Sequence, residues 1–484
     1  MQEYRLSFHI TGLFGCIFSL LMFIPAGVEY FSGMENFDIF INSAFFGLFF
    51  SILIVVTSYT KEVSMSRRSS FFATTLVWII ITVIASVPLY FAHYPSYNIT
   101  FIDALFEASS GITTTGATIL SNLEHVSKGI LLWRAMLQFF GGVGIITLAF
   151  IVMPYLQNGA MYFFLTESSE SQEKETPRII DFTILILLVY IVFFTLCACC
   201  YYLFGMNGFD AICHAMSTVS SGGFSTHDSS FMFFQNMSLE NVAIVFMVIS
   251  GMPFIMVVRL FTRRRIVVSA QALTMIKTFI ICSVLLFVVY SYVRQYSGTV
   301  SMLRHYIFAV VSIGTSTGFA SFNFSSYGGF ITIILLIVSV VGGCTGSTSG
   351  GIKVFRVQVM YQIIKHHFLK TIYPHVVAKI KCDDQVISNA VAMSVIILFM
   401  LYIFFLVLST IVMAGFGFSL TQAITATVAI LSNGGMIVSE YGGNVSIITE
   451  IPQFVRSIFI VLMILGRLEF IAVLVMIAQL FKRV

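Results

Sequence analysis

Four short stretches of this chain end in the same way, with small hydroxyl or amide residues followed by glycine. They read Thr114-Thr115-Gly116, Ser220-Ser221-Gly222, Ser316-Thr317-Gly318 and Ser432-Asn433-Gly434. A dehydrated cation inside a membrane needs oxygen ligands, and backbone carbonyls supply them where an extended chain lines a cavity. Glycine accepts φ values that other residues avoid, so successive carbonyls can point the same way, and Ser and Thr add hydroxyl oxygens. Each stretch opens with about ten residues of helical, largely apolar pattern. A half-helix that ends at such a turn aims the negative end of its dipole at a cation. A single turn of this kind reads as a glycine-rich loop outside the membrane. Four of them, each between two spans and on one side, read as rings of oxygens around one axis, all from one chain.

The elements that must hold these turns follow from composition. The 484 residues are 58% hydrophobic and only 10% charged, with a mean hydropathy of +0.97; soluble domains carry about 25% charged residues. The expected fold is an all-α polytopic membrane protein. We read ten full spans, at about 6–30, 38–59, 70–93, 129–155, 179–204, 238–261, 268–293, 328–370, 387–414 and 453–481. The turn-bearing stretches 101–118, 207–226, 301–320 and 418–436 are too short to cross and read as re-entrant. The repeat divides the chain into two N-terminal helices (1–66) and four pore repeats, 67–165, 166–265, 266–380 and 381–484, pseudo-symmetric around a central pore. The first apolar run, Leu6–Val28, lacks a basic leader and cleavage site and reads as a retained helix. Nineteen of the 25 Lys and Arg residues fall in one set of connections, which places both termini in the cytoplasm and the four turns toward the outside.

Other residues qualify the picture. Gly342–Gly351 carries five glycines with Ser347, Thr348 and Ser349 inside the eighth span; glycine costs a helix about 1 kcal/mol each, so the segment reads as a polar plug beneath the third turn or as a packing kink. Arg467 stands mid-span, where an arginine faces a pore or a buried acid. Glu469 does not share its helical face. Arg134 reads as an ordinary snorkelling residue near a span end. Asp103, Glu107 and Asp210 either concentrate cations at the mouth or complement half-helix dipoles. His227-Asp228 reads as loop structure rather than a metal site, and the eight cysteines show no metal-ligand spacing. The polar segment 166–178 and the basic segment 353–381, with Lys365, His366, His367 and Lys370, fit either a docking subunit or anionic lipid. We read no intramembrane nucleophile, acid–base or metal constellation, so no enzymatic activity and no organic cofactor are expected, and nothing points to nucleic acid.

TTTGAT at 113–118, GGFSTHD at 222–228, TSTGF at 315–319, SNGG at 432–435, GGCTGSTSGGIKVFR at 342–356 and GRLEF at 466–470 together resemble the Trk/Ktr/HKT superfamily of potassium transporters, over essentially the whole chain. The two extra N-terminal spans resemble its TrkH type rather than the eight-span KtrB type. The resemblance implies potassium uptake across a bacterial inner membrane, with K+ bound at the twelve turn residues named above as a selectivity filter. It implies an intramembrane gate at Gly346, Ser347, Thr348, Ser349 and Gly350, with Arg467 as a positive barrier. It also implies a homodimer and a cytoplasmic TrkA-type nucleotide-binding subunit. Because only one turn reads Thr-Thr-Gly, discrimination among K+, Rb+ and Na+ weaker than in a symmetric filter is expected. An ion-coupled symporter (K+ with H+ or Na+) is the alternative.

Overall fold

The computed structural model describes residues 2–60, 66–94, 98–152, 176–263, 269–294, 300–322, 328–375, 380–382, 385–435 and 451–481. Segment 166–175, the polar part of one expected docking region, lies outside them. Helices dominate; among the described residues the strands are limited to Lys381–Cys382 paired antiparallel with Gln385–Val386. Among the described residues six helices, including Phe37–Thr57, Ala270–Tyr292 and Asn389–Gly415, are long and apolar enough to cross a membrane. Their outward faces stay apolar: Phe45, Phe46, Phe49, Ile281 and Ile411 are all more than half exposed. Water would penalise so much apolar surface, whereas hydrocarbon does not.

Four half-helices sit between longer ones: Phe101–Ile112, Gly208–Val219, Val300–Gly314 and Leu420–Leu431. Their starts are written in the sequence. Thr100 accepts from Asp103 N while the Asp103 carboxylate returns to the Thr100 N–H, and Ser419 with Gln422 repeats this reciprocal cap. Asn207 caps the second half-helix through Asp210 N.

Two expected spans differ from their sequence reading. Span 238–261 is two helices, Met237–Ser250 and Phe254–Arg263, separated at Gly251-Met252-Pro253, where proline removes a ladder donor. Span 453–481 is not one helix; Gln453–Arg467 and Ile471–Phe481 meet at a sharp bend, 111° between Gln453–Arg467 and Ile471–Gln479. Glu469 and Phe470 take φ of 56° and 60° there. Span 328–370 breaks as expected into Gly329–Val341 and Val354–Ile372 around the glycine segment. By contrast Lys128–Val152, which follows the first turn, runs unbroken.

Among the described residues the core falls into two large clusters and a small third one of Phe355, Val359, Cys382, Ile387, Val391 and Val395. Of the large two, one joins the N-terminal helices to the segments around the first and fourth turns, the other joins those around the second and third. Buried polar bonds dock the N-terminal pair: the Glu29 carboxylate accepts from Gly129 N at 2.6 Å, and Asn36 bridges Ser127 Oγ and His93 N.

Candidate functional site

Each half-helix ends in one hydrogen-bond pattern. Thr113, Ser220, Thr315 and Ser432 N–H groups bond four residues back, Thr114, Ser221, Ser316 and Asn433 three back, and Thr115, Gly222, Thr317 and Gly434 five back. This is a Schellman close, whose left-handed residue is ordinarily glycine. Here it is Thr114, Ser221, Ser316 or Asn433, at φ 54°, 53°, 56° and 49°. A side chain there costs about 1–2 kcal/mol, so what that side chain touches matters.

The pattern corrects the sequence alignment by one residue in two turns. Gly116 and Gly318 (φ 81° each) correspond to Gly223 (φ 80°) and Gly435 (φ 48°), not to Gly222 and Gly434. The sequence signal was present as the doublets Gly222-Gly223 and Gly434-Gly435, either glycine of which could have been matched. In the corrected register the turns read Thr-Thr-Thr-Gly, Ser-Ser-Gly-Gly, Thr-Ser-Thr-Gly and Ser-Asn-Gly-Gly. The first and third are alike: Thr113 and Thr115 hydroxyls pair at 2.7 Å, Thr315 and Thr317 at 2.9 Å. The second and fourth carry serine in place of Thr113 and Thr315 and glycine in place of Thr115 and Thr317.

The turns close head to tail. A methyl on Gly116 would lie 2.0 Å from Gly222 O, one on Gly223 1.8 Å from Thr317 O, and one on Gly435 2.0 Å from Thr115 O. Gly434 comes to 3.8 Å of Ser316 Cα by the same measure, which joins the third turn to the fourth. Asn433 adds a bond from Nδ2 to Thr115 Oγ1 at 2.9 Å. The closed order is therefore first, second, third, fourth, first. The hydroxyl and amide residues of the ring are all buried. Thr114 Oγ1 and Asn433 Oδ1 have no hydrogen-bond partner among the described residues.

Two braces outside the sequence reading hold the ring. Gln138 Nε2 donates to Gly222 O at 2.6 Å, and its Oε1 accepts from Phe224 N at 3.0 Å. Arg134, expected to snorkel, is 1% exposed. It pairs with Glu107 at 2.7 Å, donates to Thr118 Oγ1 and Ser225 O, and lies 4.1 Å above the Phe224 ring. Glu107 also accepts from Thr118 Oγ1 and Ile119 N. The pair thus links the strands that leave the first and second turns. Neither Glu107 nor Asp103 is a free cation-concentrating charge, because Asp103 pairs with Arg456. Glu107→Gln is expected to lower thermal stability by about 3–5 kcal/mol, since it strands a buried guanidinium. Glu107→Gln with Arg134→Gln should recover part of the loss in the same thermal melt, and a single variant as stable as wild type would remove the brace.

The segment 342–351 lies against the C-terminal ends of the half-helices. Thr348 Oγ1 is 2.8 Å from Ser221 Oγ and 3.3 Å from Val219 O and Ser250 O. Gly350 N donates to Ser316 Oγ at 2.7 Å, and a methyl on Gly350 would lie 2.0 Å from Ser432 O. Gly346 O accepts from Phe254 N, and Ser347, Thr348 and Ser349 are buried. The GRLEF motif meets the segment at Thr348 and the start of the helix that follows it. Arg467, 4% exposed, donates from Nη1 to Thr348 O at 2.8 Å and from Nη2 to Gly141 O at 3.4 Å. No carboxylate pairs with it among the described residues. Glu469 points elsewhere, to Arg356 and to Lys353 Nζ at 3.6 Å.

Other sequence candidates are structural. Asp228 accepts from Asn122 N and Leu123 N, while His227 stacks on Phe233 and meets Asp210 Oδ2 at 3.1 Å. No His, Cys, Asp or Glu cluster suited to a metal occurs among the described residues. Contrary to the sequence reading, one hydrolase-like GxSxG match exists, Gly314-Thr315-Ser316-Thr317-Gly318. It closes a helix instead of leaving a strand, and its Ser316 hydroxyl bonds Thr315 O and Gly350 N, so it lacks the nucleophile's setting.

A family model described as TrkH, cation transport protein, matches residues 36–278 and 260–482. The Trk system potassium uptake protein TrkG of Escherichia coli (strain K12) is 31% identical over 486 residues, 99% of each chain. The Trk system potassium uptake protein TrkH of Vibrio parahaemolyticus is 30% identical over 493 residues, the full length of both. The crystal structure of the potassium transporter TrkH from Vibrio parahaemolyticus superposes with a TM-score of 0.86 at 29% identity, covering 99% of each chain.

Proposed function

The chain belongs to the TrkH family of cation transport proteins, and from that premise we propose that it carries K+ inward across a bacterial inner membrane through the ring of four turns. The observation that carries this reading is the closed head-to-tail ring, formed where four half-helices end. Four negative dipole ends converge there with carbonyl and hydroxyl oxygens, a neutral environment suited to replacing the hydration shell of a monovalent cation. K+ is the substrate; Thr114, Thr115, Gly116, Ser221, Gly222, Gly223, Ser316, Thr317, Gly318, Asn433, Gly434 and Gly435 form the filter, with Ser220 and Ser432 one step below. The loop at Gly346–Gly350 with Arg467 closes its inner mouth, both termini are cytoplasmic, and the two N-terminal helices precede four repeats.

A channel-like path is favoured over an ion-coupled symporter by the ion pairs. Asp103, Glu107, Glu240 and Glu469 are each held by an arginine, so none is a free mid-path proton carrier. We place a nucleotide-binding subunit of the TrkA type on the cytoplasmic face and a second copy of the chain beside the first. The exposed Lys365, His367 and Lys370 of helix Val354–Ile372 support a docking role for its far end. Rb+ and Na+ uptake into liposomes holding the purified chain, with and without a proton gradient, tests the reading. Rb+ should exceed Na+ whether or not the gradient is present, and Gly318→Ser should shift that ratio. Uptake that requires the gradient would favour the symporter.

A further inference from the structure

We propose that Ser221 and Ser316 are positioning residues that clamp the 342–351 loop to the second and third turns, so that gate position and ion discrimination are coupled. This rests on the conduction reading above. All four turns place a side chain at the left-handed position, where glycine would be the unstrained choice. Two of those four side chains hold the loop: Ser221 Oγ meets Thr348 Oγ1 at 2.8 Å, and Ser316 Oγ accepts from Gly350 N at 2.7 Å. The other two do not. Asn433 reaches Thr115 Oγ1 and Met463 O, and Thr114 Oγ1 has no hydrogen-bond partner among the described residues. The loop packs against the fourth turn as well, but these side-chain hydrogen bonds tie it to the second and third.

Thr348 ties the clamp to the charge. Its hydroxyl touches Ser221, Val219 O and Ser250 O while its carbonyl accepts from Arg467. Any movement that withdraws Thr348 from the axis breaks the arginine bond and the serine bond together. Ser221 Oγ would then keep only Ser250 Oγ and Ser316 Oγ only Thr315 O, a loss of buried hydrogen bonding that favours relaxation or hydration of the second and third turns. A gate that was only a plug would leave the ring unchanged when it moved.

The test is a double-variant cycle on full-length protein in liposomes, read as basal Rb+ uptake and as the Rb+/Na+ uptake ratio. Ser221→Ala and Thr348→Val should each raise basal Rb+ uptake roughly fivefold, the shift expected for one hydrogen bond. Their combination should exceed the larger single effect by little, because both remove the same bond. Thr114→Ala with Thr348→Val should instead multiply. Ser316→Ala, which acts through a different bond, should also raise uptake, and the Rb+/Na+ ratio should fall in step in every leaky variant. Thr348→Ser keeps the hydroxyl and should restore wild-type values, which guards against a mere folding defect. Raised uptake with an unchanged ratio would overturn the coupling and leave the gate standing. Multiplicative Ser221 and Thr348 effects would overturn the clamp. Liposomes in which no variant passes Rb+ above background would overturn the conduction reading, and the clamp with it.

Discussion

Arg467→Ala is expected to raise basal Rb+ uptake into liposomes by about tenfold or more. The guanidinium is buried, holds two backbone carbonyls and has no carboxylate partner among the described residues. Its charge is therefore uncompensated for a cation entering from below. A unit charge about 4 Å from the path at an effective dielectric of about 20 opposes a cation by about 4 kcal/mol. A tenfold change needs only about 1.4 kcal/mol, so the expectation survives heavy screening. The variant also removes the Nη1 bond to Thr348 O, which frees the middle of the loop. Arg467→Lys separates the two effects, because it keeps the charge and loses the forked geometry; it should leak less than the alanine variant. Basal uptake equal to wild type in both would take Arg467 out of the conduction path.

The second large effect lies in paired glycines. Gly435→Ala should reduce Rb+ uptake or the Rb+/Na+ ratio by about tenfold, while Gly434→Ala stays within about threefold of wild type. Gly435 has positive φ, costly for alanine by about 1–2 kcal/mol, and its methyl would overlap Thr115 O at 2.0 Å. At Gly434 the nearest atoms to a methyl are hydroxyls at 3.4 Å, an ordinary contact. The second turn lacks this contrast: a methyl on Gly223 meets backbone at 1.8 Å, and one on Gly222 meets the hydrogen-bonded Gln138 amide at 2.4 Å. The first and fourth turns are bound through Asn433 and Thr115, so the Gly435 change should disturb both. Equal effects at Gly434 and Gly435 would refute the register read from the hydrogen bonds.

That register changes the view of selectivity. Aligned by sequence, the turns were four different variants around one Thr-Thr-Gly. Aligned by their backbone, they alternate, with threonine at the third position in the first and third turns and glycine in the second and fourth. The unevenness is thus twofold. One diagonal of the ring carries the paired threonine hydroxyls, and the other offers backbone alone at that level.

The chain's residues by themselves determined the membrane class, the four half-helices and the segment 342–351. These follow from local causes: apolar runs long enough for hydrocarbon, caps at Thr100, Asn207 and Ser419, and glycine density that no helix tolerates. Residues Arg467 and Thr348 were also legible, because a mid-span charge and hydroxyls among glycines are out of place in lipid. Tertiary structure decided the rest. Which glycine of a doublet turns left-handed depends on where the neighbouring turn places its carbonyl, a contact between segments far apart in the chain, Gly223 with Thr317 and Gly435 with Thr115. Whether Arg134 snorkels or is buried depends on Glu107, which arrives from another helix. The break near Pro253 also meets the loop, since the Gly251 carbonyl accepts from Cys344 N, and the bend at Glu469 meets the start of the helix after the loop, since Glu469 binds Lys353 and Arg356. Local propensity fixes elements; a ring closed between distant segments fixes which atoms face its centre.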